Sequence, residues 1–188
     1  MTLESIFASI PVLETEHYML RGIRKEDARE MLGFMGDRDT MQFITPAPVQ
    51  SEAALQDEIL NQLNGFTRRK EIPWVIVNKS NGDIVGMFRL YKLHMWHRKA
   101  EMGVVIRKAY QRKGVMTEVM KKVLTFGFGP LDLNRIVGDI FALNQGSTKL
   151  LERFGFKQEG LLRQTDFDGE RYHDTVVYSL LKAEYEGC

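Results

Sequence analysis

Cysteine is almost absent from this sequence of 188 residues, because Cys188, the last residue, is the only one. A disulfide within the chain is therefore impossible, which is consistent with a reducing compartment, and we expect a cytoplasmic protein. Thiols act as nucleophiles only where their surroundings favour the thiolate. Cys188 is accordingly predicted to be an exposed tail residue without a catalytic role.

An excess of charge of either sign is missing as well. The sequence has 26 basic and 25 acidic side chains, which gives a formal net charge of +1. This balance gives no reason to expect binding to nucleic acid or to an anionic membrane surface.

Long apolar runs and targeting signals are absent too. No apolar run in the sequence is long enough to span a bilayer. The first residues, MTLESIFASIPVLETE, include acidic side chains and lack the basic segment of a signal peptide. Hydrophobic residues make up 44% and charged residues 27%, which is typical of a soluble globular protein. We expect one domain that covers residues 1–188.

What the sequence does contain is a set of hydrophobic periodicities that predicts a mixed α/β fold. Strands are predicted at His17–Arg24, Ile72–Asn78, Asp83–Leu93, Lys99–Ile106, Asn134–Ala142 and in a final hairpin at Gly160–Leu181. Helices are predicted at Lys25–Gly36, at Ser51–Phe66 and from Gly114 to Phe128, and Ser147–Phe156 is predicted to be a helix that runs into a strand. Hairpin turns at Asn81-Gly82 and Asp168-Gly169 make part of the sheet antiparallel, whereas the unit from Lys99 to Ala142 could be a crossover connection.

A glycine opens the helix within the stretch YQRKGVMTEVMKKVLTFGF, Tyr110–Phe128. Backbone N–H groups at a helix N-terminus have no intrahelical partner, and Gly114 would let an anion approach them closely. The N–H groups of Gln111–Thr117 could form a nest for a pyrophosphate, with Arg112 and Lys113 adding positive charge. Taken alone, the spacing favours a simple tight turn with solvated basic residues. The GxGxxG and P-loop patterns are absent, so neither nucleotide-binding motif is indicated.

Five segments of the chain match a known family in order and in spacing. They are LRGIRKEDA (Leu20–Ala28), GDIVGMFRL (Gly82–Leu90), RKAEMGVVI (Arg98–Ile106), QRKGVMTEV (Gln111–Val119) and LNRIVGDIFALNQGSTKLLERFGFKQEG (Leu133–Gly160). Together they resemble the GCN5-related N-acetyltransferase (GNAT) superfamily and, within it, the RimJ/RimL branch that acetylates protein N-termini. The combination is much more specific than any one segment.

The resemblance implies a GNAT fold, in which helices flank a mixed, mostly antiparallel sheet. Two parallel strands of this sheet would splay apart to form a cleft for acetyl-CoA, with no metal. One strand would hold the pantetheine arm through its backbone, and the loop before the helix would hold the pyrophosphate. The implied cofactor-binding residues are Met102, Gly103, Val104, Val105, Ile106, Gln111, Arg112, Lys113, Gly114, Val115, Met116, Thr117, Asn144 and Ser147. The family's loop usually has glycine or alanine in place of Met116, so this side chain would have to point away from the phosphate.

Acetyl transfer to an amine requires a polarised thioester, a neutral amine and a proton for the departing thiolate. The candidate catalytic residues are Glu101, Asn144 and Ser147. Glu101 could accept the amine proton, directly or through a water, or it could be a structural residue bonded to the backbone or to a basic side chain. Asn144 is a natural N-cap, and a helix that starts there would carry Ser147 near the cofactor thiol. Many members of the family use a tyrosine as the acid where this chain has Leu151, which favours Ser147 for that role.

Other polar residues are weaker candidates. His173 on the last strand could relay a proton, but a surface position is favoured. His94 and His97 share a loop, and two histidines without a third ligand do not predict zinc. Asp174 and Tyr178 are predicted to be sheet or interface residues.

The predicted function is acetyl-CoA-dependent N-acetylation by direct attack in a ternary complex. The favoured acceptor is the α-amine of a protein or peptide N-terminus. A small-molecule amine, such as a polyamine or an aminoglycoside, is one alternative, and a non-catalytic sensor of acyl-CoA is another. The polar residues Glu101, Asn144 and Ser147 argue against the sensor, because a pure binding module needs no polar groups near the thioester. A homodimer remains open, and no nucleic-acid or membrane partner is expected.

Overall fold

A computed structural model describes residues 3–185 and shows eight strands and six α-helices in that range. The strands are β1 Leu13–Glu14, β2 Tyr18–Gly22, β3 Ile72–Asn78, β4 Ile84–His94, β5 Lys99–Ile106, β6 Arg135–Phe141, β7 Lys157–Phe167 and β8 Tyr172–Leu181. The helices are α1 Leu3–Ala8, α2 Ala28–Met35, α3 Arg38–Met41, α4 Glu52–Thr67, α5 Val115–Phe128 and α6 Gln145–Arg153. No helix in this range is long and apolar enough to cross a membrane.

The eight strands form one sheet in the order β1-β2-β3-β4-β5-β6-β8-β7. Every neighbouring pair is antiparallel except β5 and β6, which are parallel and are connected through α5. A parallel pair needs such a crossover connection. The structure thus confirms the mixed, mostly antiparallel sheet with flanking helices.

Strands β5 and β6 pair over only a short distance. Their register runs from Lys99 opposite Arg135 to Glu101 opposite Val137 and then stops. Beyond that point β5 stays paired with β4, and β6 stays paired with β8 as far as Phe141. The two strands therefore separate at their carboxyl ends, as the family resemblance implies.

Alternating residues place a hydrophobic core on each face of the sheet. On one face, α5 packs over the central strands, and the rings of Trp74 and Phe126 meet edge to face with centroids 5.8 Å apart. The indole of Trp74 also donates a 2.7 Å hydrogen bond to the carbonyl of Pro11. On the other face, α2 and α4 pack against Val75, Met87 and other buried residues.

Element boundaries differ from the sequence predictions at several ends. The helix predicted from Lys25 begins as a 3₁₀ turn, and α2 starts only at Ala28. The last helix starts at Gln145 and ends at Arg153, because Gly155 adopts a φ of +81° that reverses the chain into β7. The short elements β1 and α3 have too few residues to show a periodicity. Cys188 lies outside the described residues.

Two glycines provide a matched test of the packing. A Cβ at Gly86 in β4 would overlap the carbonyl oxygen of Val105 and lie 2.8 Å from Ile106 Cδ1, whereas a Cβ at Gly33 in α2 would meet no atom within 4 Å. We expect Gly86→Ala to lower the free energy of unfolding by about 1–3 kcal/mol. Gly33→Ala should raise it by about 0.5–1 kcal/mol, since alanine favours the helix. Denaturant titration of both variants checks this, and a Gly86→Ala variant as stable as the wild type would contradict the close approach of β4 and β5.

Candidate active site

A cleft of about 700 Å³ opens where β5 and β6 separate. Its walls come from both strands, from the N-terminus of α6, from α4, from the loop at residues 42–47 and from the tip of the hairpin of β7 and β8. The residues that line the gap between the strands include Met102, Gly103, Val104, Val105, Gly138, Asp139, Ile140 and Phe141. Four of the residues predicted to hold the pantetheine arm, Met102 to Val105, thus lie at this cleft.

The β5 backbone beyond Glu101 has free hydrogen-bonding groups of the kind that could bind a pantetheine arm. One set of its peptide groups pairs with β4, and the other set faces the gap, because β6 no longer contacts it there. An extended chain can be bound by such unpaired N–H and C=O groups. Ile106 does not line the cleft, and its carbonyl accepts a 2.9 Å hydrogen bond from the Gln111 side chain.

The N-terminus of α6 brings Asn144 and Ser147 to the same cleft. Asn144 is the N-cap, as predicted, and its Oδ1 accepts a 3.1 Å hydrogen bond from the backbone N–H of Ser147. Within residues 3–185 the hydroxyl of Ser147 has no hydrogen-bond partner, so it can donate to another group. Leu151, one turn further on, is buried in the cleft wall.

The loop at 111–117 lies outside the cleft wall and begins α5. Gly114 is the N-cap, with a φ of +82° in the left-handed region, and a Cβ there would meet open space. The N–H groups of Gly114, Val115 and Met116 have no partner in the described chain, since hydrogen bonding to Gly114 begins at Thr117. The half-buried side chain of Met116 packs against the core. It therefore points away from the loop, which removes the steric difficulty that its size raised.

Glu101 is held by a cation. Its Oε2 lies 2.7 Å from Lys92 Nζ, and the side chain is 21% exposed. This contact is a close ion pair on a carboxylate oxygen that is itself buried from solvent. A bulge in β4, where Lys92 has a φ of +48°, accompanies this contact. The carboxylate does not line the cleft.

Several polar side chains that the sequence did not single out also line the cleft. Arg89 and Tyr91 alternate on β4, and the guanidinium carbon lies 4.4 Å from the centre of the tyrosine ring. They cover Gly103, where a Cβ would lie 3.3 Å from Arg89 Nε. Burial raises the pKa of the Tyr91 hydroxyl, and the charge of Glu101 adds to this. The sequence MFRLY (Met87–Tyr91) could have indicated these two residues, because alternation along a strand places Arg89 and Tyr91 on the same face of the sheet.

Carboxylates dominate the charge of the cleft. The acidic residues on its wall are Glu58, Asp139, Asp166 and Asp168, and Arg89 is the one basic residue there within the described chain. Arg89 is itself paired with Glu71, at 3.3 Å between Nη1 and Oε1. The cleft therefore carries a net negative charge.

The surface position predicted for His173 is wrong. Its side chain is 9% exposed, it bonds to Asp168, and its ring lies 4.6 Å from that of Phe141. Backbone N–H groups of Arg171 and Glu170, together with His173, hold the pKa of Asp168 below its usual value. The turn of the hairpin folds back over His173, which a strand pattern cannot show.

The remaining polar candidates lie elsewhere. His94 and His97 stack with ring centres 4.2 Å apart, and no group of three potential metal ligands occurs in residues 3–185. Tyr178 is buried in the sheet, and Asp174 accepts a 2.8 Å hydrogen bond from Gln164. Both are sheet residues, as predicted.

Comparison with known proteins gives a consistent result. A family model described as "Acetyltransferase (GNAT) domain" matches residues 17–157. The uncharacterized N-acetyltransferase YoaA of Bacillus subtilis is 30% identical over 172 residues, which cover 92% of this chain and 97% of YoaA. The putative ribosomal N-acetyltransferase YdaF of the same organism is 39% identical over 107 residues, 57% of this chain and 58% of YdaF.

Solved structures show the same fold. A spermidine N-acetyltransferase from Vibrio cholerae, in complex with CoA and spermine, superposes with a TM-score of 0.82 at 24% identity, over 92% of this chain and 100% of that one. RimL, a ribosomal L7/L12 alpha-N-protein acetyltransferase in complex with coenzyme A, gives 0.84 at 17% identity, over 91% and 98%. At these identities the likeness concerns the fold.

The start of α5 allows a direct test of pyrophosphate binding. Asparagine and aspartate both tolerate the left-handed backbone of Gly114 and differ mainly in charge. We expect Gly114→Asp to weaken CoA binding by about tenfold or more, equivalent to ~1.4 kcal/mol, because its carboxylate would repel the pyrophosphate. Gly114→Asn is the control and should bind CoA more tightly than the aspartate variant. Calorimetric titration measures both affinities. Equal affinities of Gly114→Asp and the wild type would show that this loop is not the pyrophosphate site.

Proposed function

This chain belongs to the acetyltransferase (GNAT) family, and on that premise we propose that its acceptor is the α-amine of a protein or peptide N-terminus. Its reaction is the acetyl-CoA-dependent acylation of an amine. The resemblance to the RimJ/RimL branch, and the similarity to YdaF and to the RimL fold, support an N-terminal acceptor. A cytoplasmic location and a homodimer stay predictions from the sequence.

The single observation that carries this proposal is the cleft between the separated strands. It joins the unpaired backbone of β5 to a polar wall formed by β4, β6, α4 and the hairpin. A thioester bound along β5 could therefore meet an amine that enters from the polar wall. Such an arrangement supports direct attack in a ternary complex, because the amine and the thioester could occupy the cleft together.

The chain's own residues suit the cosubstrate. The β5 backbone from Met102 would bind the pantetheine arm, and the N–H groups at the start of α5 would bind the pyrophosphate. Ser147 would donate its free hydroxyl proton towards the departing sulfur. Asn144 would position Ser147 by capping α6.

Glu101 can serve the reaction without touching the amine. Of its two roles left open by the sequence, the contact with Lys92 supports the structural one. Its Oε2 is held by Lys92, and the side chain does not line the cleft, so the carboxylate is not placed to reach the amine. We therefore assign Glu101 an electrostatic role beside the cleft.

The charge of the cleft favours a second candidate, a cationic small-molecule amine such as a polyamine. Four carboxylates line the wall, against one guanidinium within the described residues; Arg89 is paired with Glu71, and Asp168 is paired with His173. A polycation would gain more from this wall than an uncharged or acidic peptide. The neighbouring fold of a spermidine N-acetyltransferase is consistent with this candidate.

An acceptor panel tests the proposed function. Thiol release from acetyl-CoA is measured with N-terminal peptides of neutral, basic and acidic sequence, with polyamines and with aminoglycosides. We expect steady turnover with peptides, and mass spectrometry should place the added acetyl group on the α-nitrogen. Turnover with polyamines alone would support the second candidate. Tight CoA binding without turnover on any amine would leave only the sensor.

Ser147→Ala separates a chemical role from a structural one. The departing thiol has a pKa of about 8.5, so the thiolate leaves without much help, and we expect turnover to fall by about a hundredfold or less. Acetyl-CoA affinity and thermal stability should hardly change, because Asn144 provides the cap. Asn144→Ala is the comparison and should cost about 1 kcal/mol of stability. A Ser147→Ala variant with normal turnover would refute the role as a proton donor.

A further inference from the structure

Asp139 is a carboxylate at the start of the gap between the two separated strands. It lies on β6, two residues beyond Val137, where the pairing with β5 ends, and its side chain lines the cleft. The matching position on β5 is Gly103, two residues beyond Glu101. Glycine places no side chain of β5 opposite Asp139, and Arg89 and Tyr91 from β4 lie over this position instead.

The carboxylate of Asp139 also differs from its neighbours in having no partner. Within residues 3–185 no hydrogen bond or ion pair involves it. Asp166 accepts hydrogen bonds from two threonine hydroxyls, Asp168 is bound to His173, and Glu101 is paired with Lys92. Glu58 is unpaired within this range as well, but it comes from α4 rather than from either of the separated strands. The Asp139 carboxylate therefore stabilises no neighbouring group through a hydrogen bond or ion pair in the described residues.

We propose that Asp139 is the general base of the reaction, accepting the proton that the amine nitrogen loses as it attacks the thioester. The inference rests on the proposed function, because it needs an amine and a thioester in this cleft. The general base is then Asp139 on β6, whereas the sequence alone makes Glu101 on β5 a candidate for this role. Glu101 then acts through Asp139 and is a positioning residue.

The proton balance of the step is as follows. The acceptor enters as an ammonium and loses its first proton to solvent. The neutral nitrogen forms a bond to the thioester carbon, becomes strongly acidic, and gives its second proton to the Asp139 carboxylate. The carbon–sulfur bond then breaks, and the thiolate leaves with the electron pair and takes up a proton from solvent, either directly or through the hydroxyl of Ser147, which regains a proton from solvent. Asp139 is exposed to the cleft and returns its proton to solvent.

The charged groups around Asp139 make it a better base. Partial desolvation raises the pKa of its carboxyl, and the charge of Glu101 from β5 raises it further. Lys92 from β4 lowers it, and Asp166 from β7 raises it. Tyr91 on β4 also faces this group. A base is more effective when its pKa lies closer to the working pH.

The pH dependence follows from this direction. The reaction needs the deprotonated carboxylate, so turnover should be lost as the pH falls through the pKa of Asp139. Because this pKa is raised, the loss should occur above the ordinary aspartate value of about 3.9. Removing the charge of Glu101 should move the loss to lower pH.

Asp139→Asn tests the proposal, with Asp57→Asn as the matched control. Both substitutions remove one negative charge, but Asp57 is an exposed residue of α4 outside the cleft. For Asp139→Asn we expect kcat to fall by about a hundredfold or more. KM for acetyl-CoA and the melting temperature should stay close to the wild-type values, since Asp139 has no partner to lose. Asp139→Glu should recover part of the turnover, and Asp57→Asn should match the wild type.

The pH profile distinguishes this role from a structural one. In Asp139→Asn the acidic loss of kcat should keep only the part that comes from protonation of the amine itself, and in Glu101→Gln the part that comes from Asp139 should shift to lower pH with most of the turnover kept at neutral pH. An active Asp139→Asn variant with the wild-type profile would overturn the inference and leave the proposed function standing. Loss of turnover in Glu101→Gln, with Asp139→Asn still active, would return the role to Glu101. A wild-type protein that acetylates no amine would remove the premise itself.

Discussion

The end of hydrogen bonding between β5 and β6 is the constraint on which the site depends. Each strand keeps its other neighbour, β4 for one and β8 for the other, so both stay in the sheet while the space between them opens. Beyond Glu101, the separation leaves the peptide groups of β5 that face the gap without a partner strand in the described part of the chain. Unpaired backbone groups are costly when they are buried, and a bound chain that pairs with them removes that cost. The cleft is therefore a binding site because of a gap in the sheet rather than because of a loop.

The side chains around the gap are arranged to keep it both open and polar. Gly103 leaves room for Arg89 and Tyr91 to cover β5, and Gly138 leaves room for Leu151, whose Cδ1 would lie 2.8 Å from a Cβ at that position. The bulge of β4 at Lys92 accompanies the ion pair with Glu101, on the same face of the sheet. Glu101, Asp166 and Asp168 contact a lysine, threonine hydroxyls and a histidine, respectively, and these contacts stabilise the wall. In the described residues the carboxylate of Asp139 has no such contact.

Much of the fold could be predicted, because hydrophobic periodicity reports which face of a strand or helix is buried. The strands Ile72–Asn78 and Lys99–Ile106 agree with the structure at both ends, and Gly82 and Gly169 adopt the positive φ that their hairpin turns require. Asn144 was recognisable as a cap from its residue type. His173 was placed wrongly, since burial by a folded-back turn leaves no trace in the alternation of its strand. Arg89 and Tyr91 alternate along their strand, but they belong to no recognisable motif, so the sequence did not single them out.

The sequence by itself determined the class of fold, the order of its elements and the family resemblance, because these follow from local periodicity, turn residues and short motifs. Only the tertiary structure decided which side chains share the cleft. Glu101 and Asp139 lie 38 positions apart in the numbering and on different strands. Whether each carboxylate is free or paired depends on contacts from β4 and from the hairpin of β7 and β8. Such contacts are set by the register of distant strands and by the bulge at Lys92, so the chemical role of these residues is a property of the folded chain.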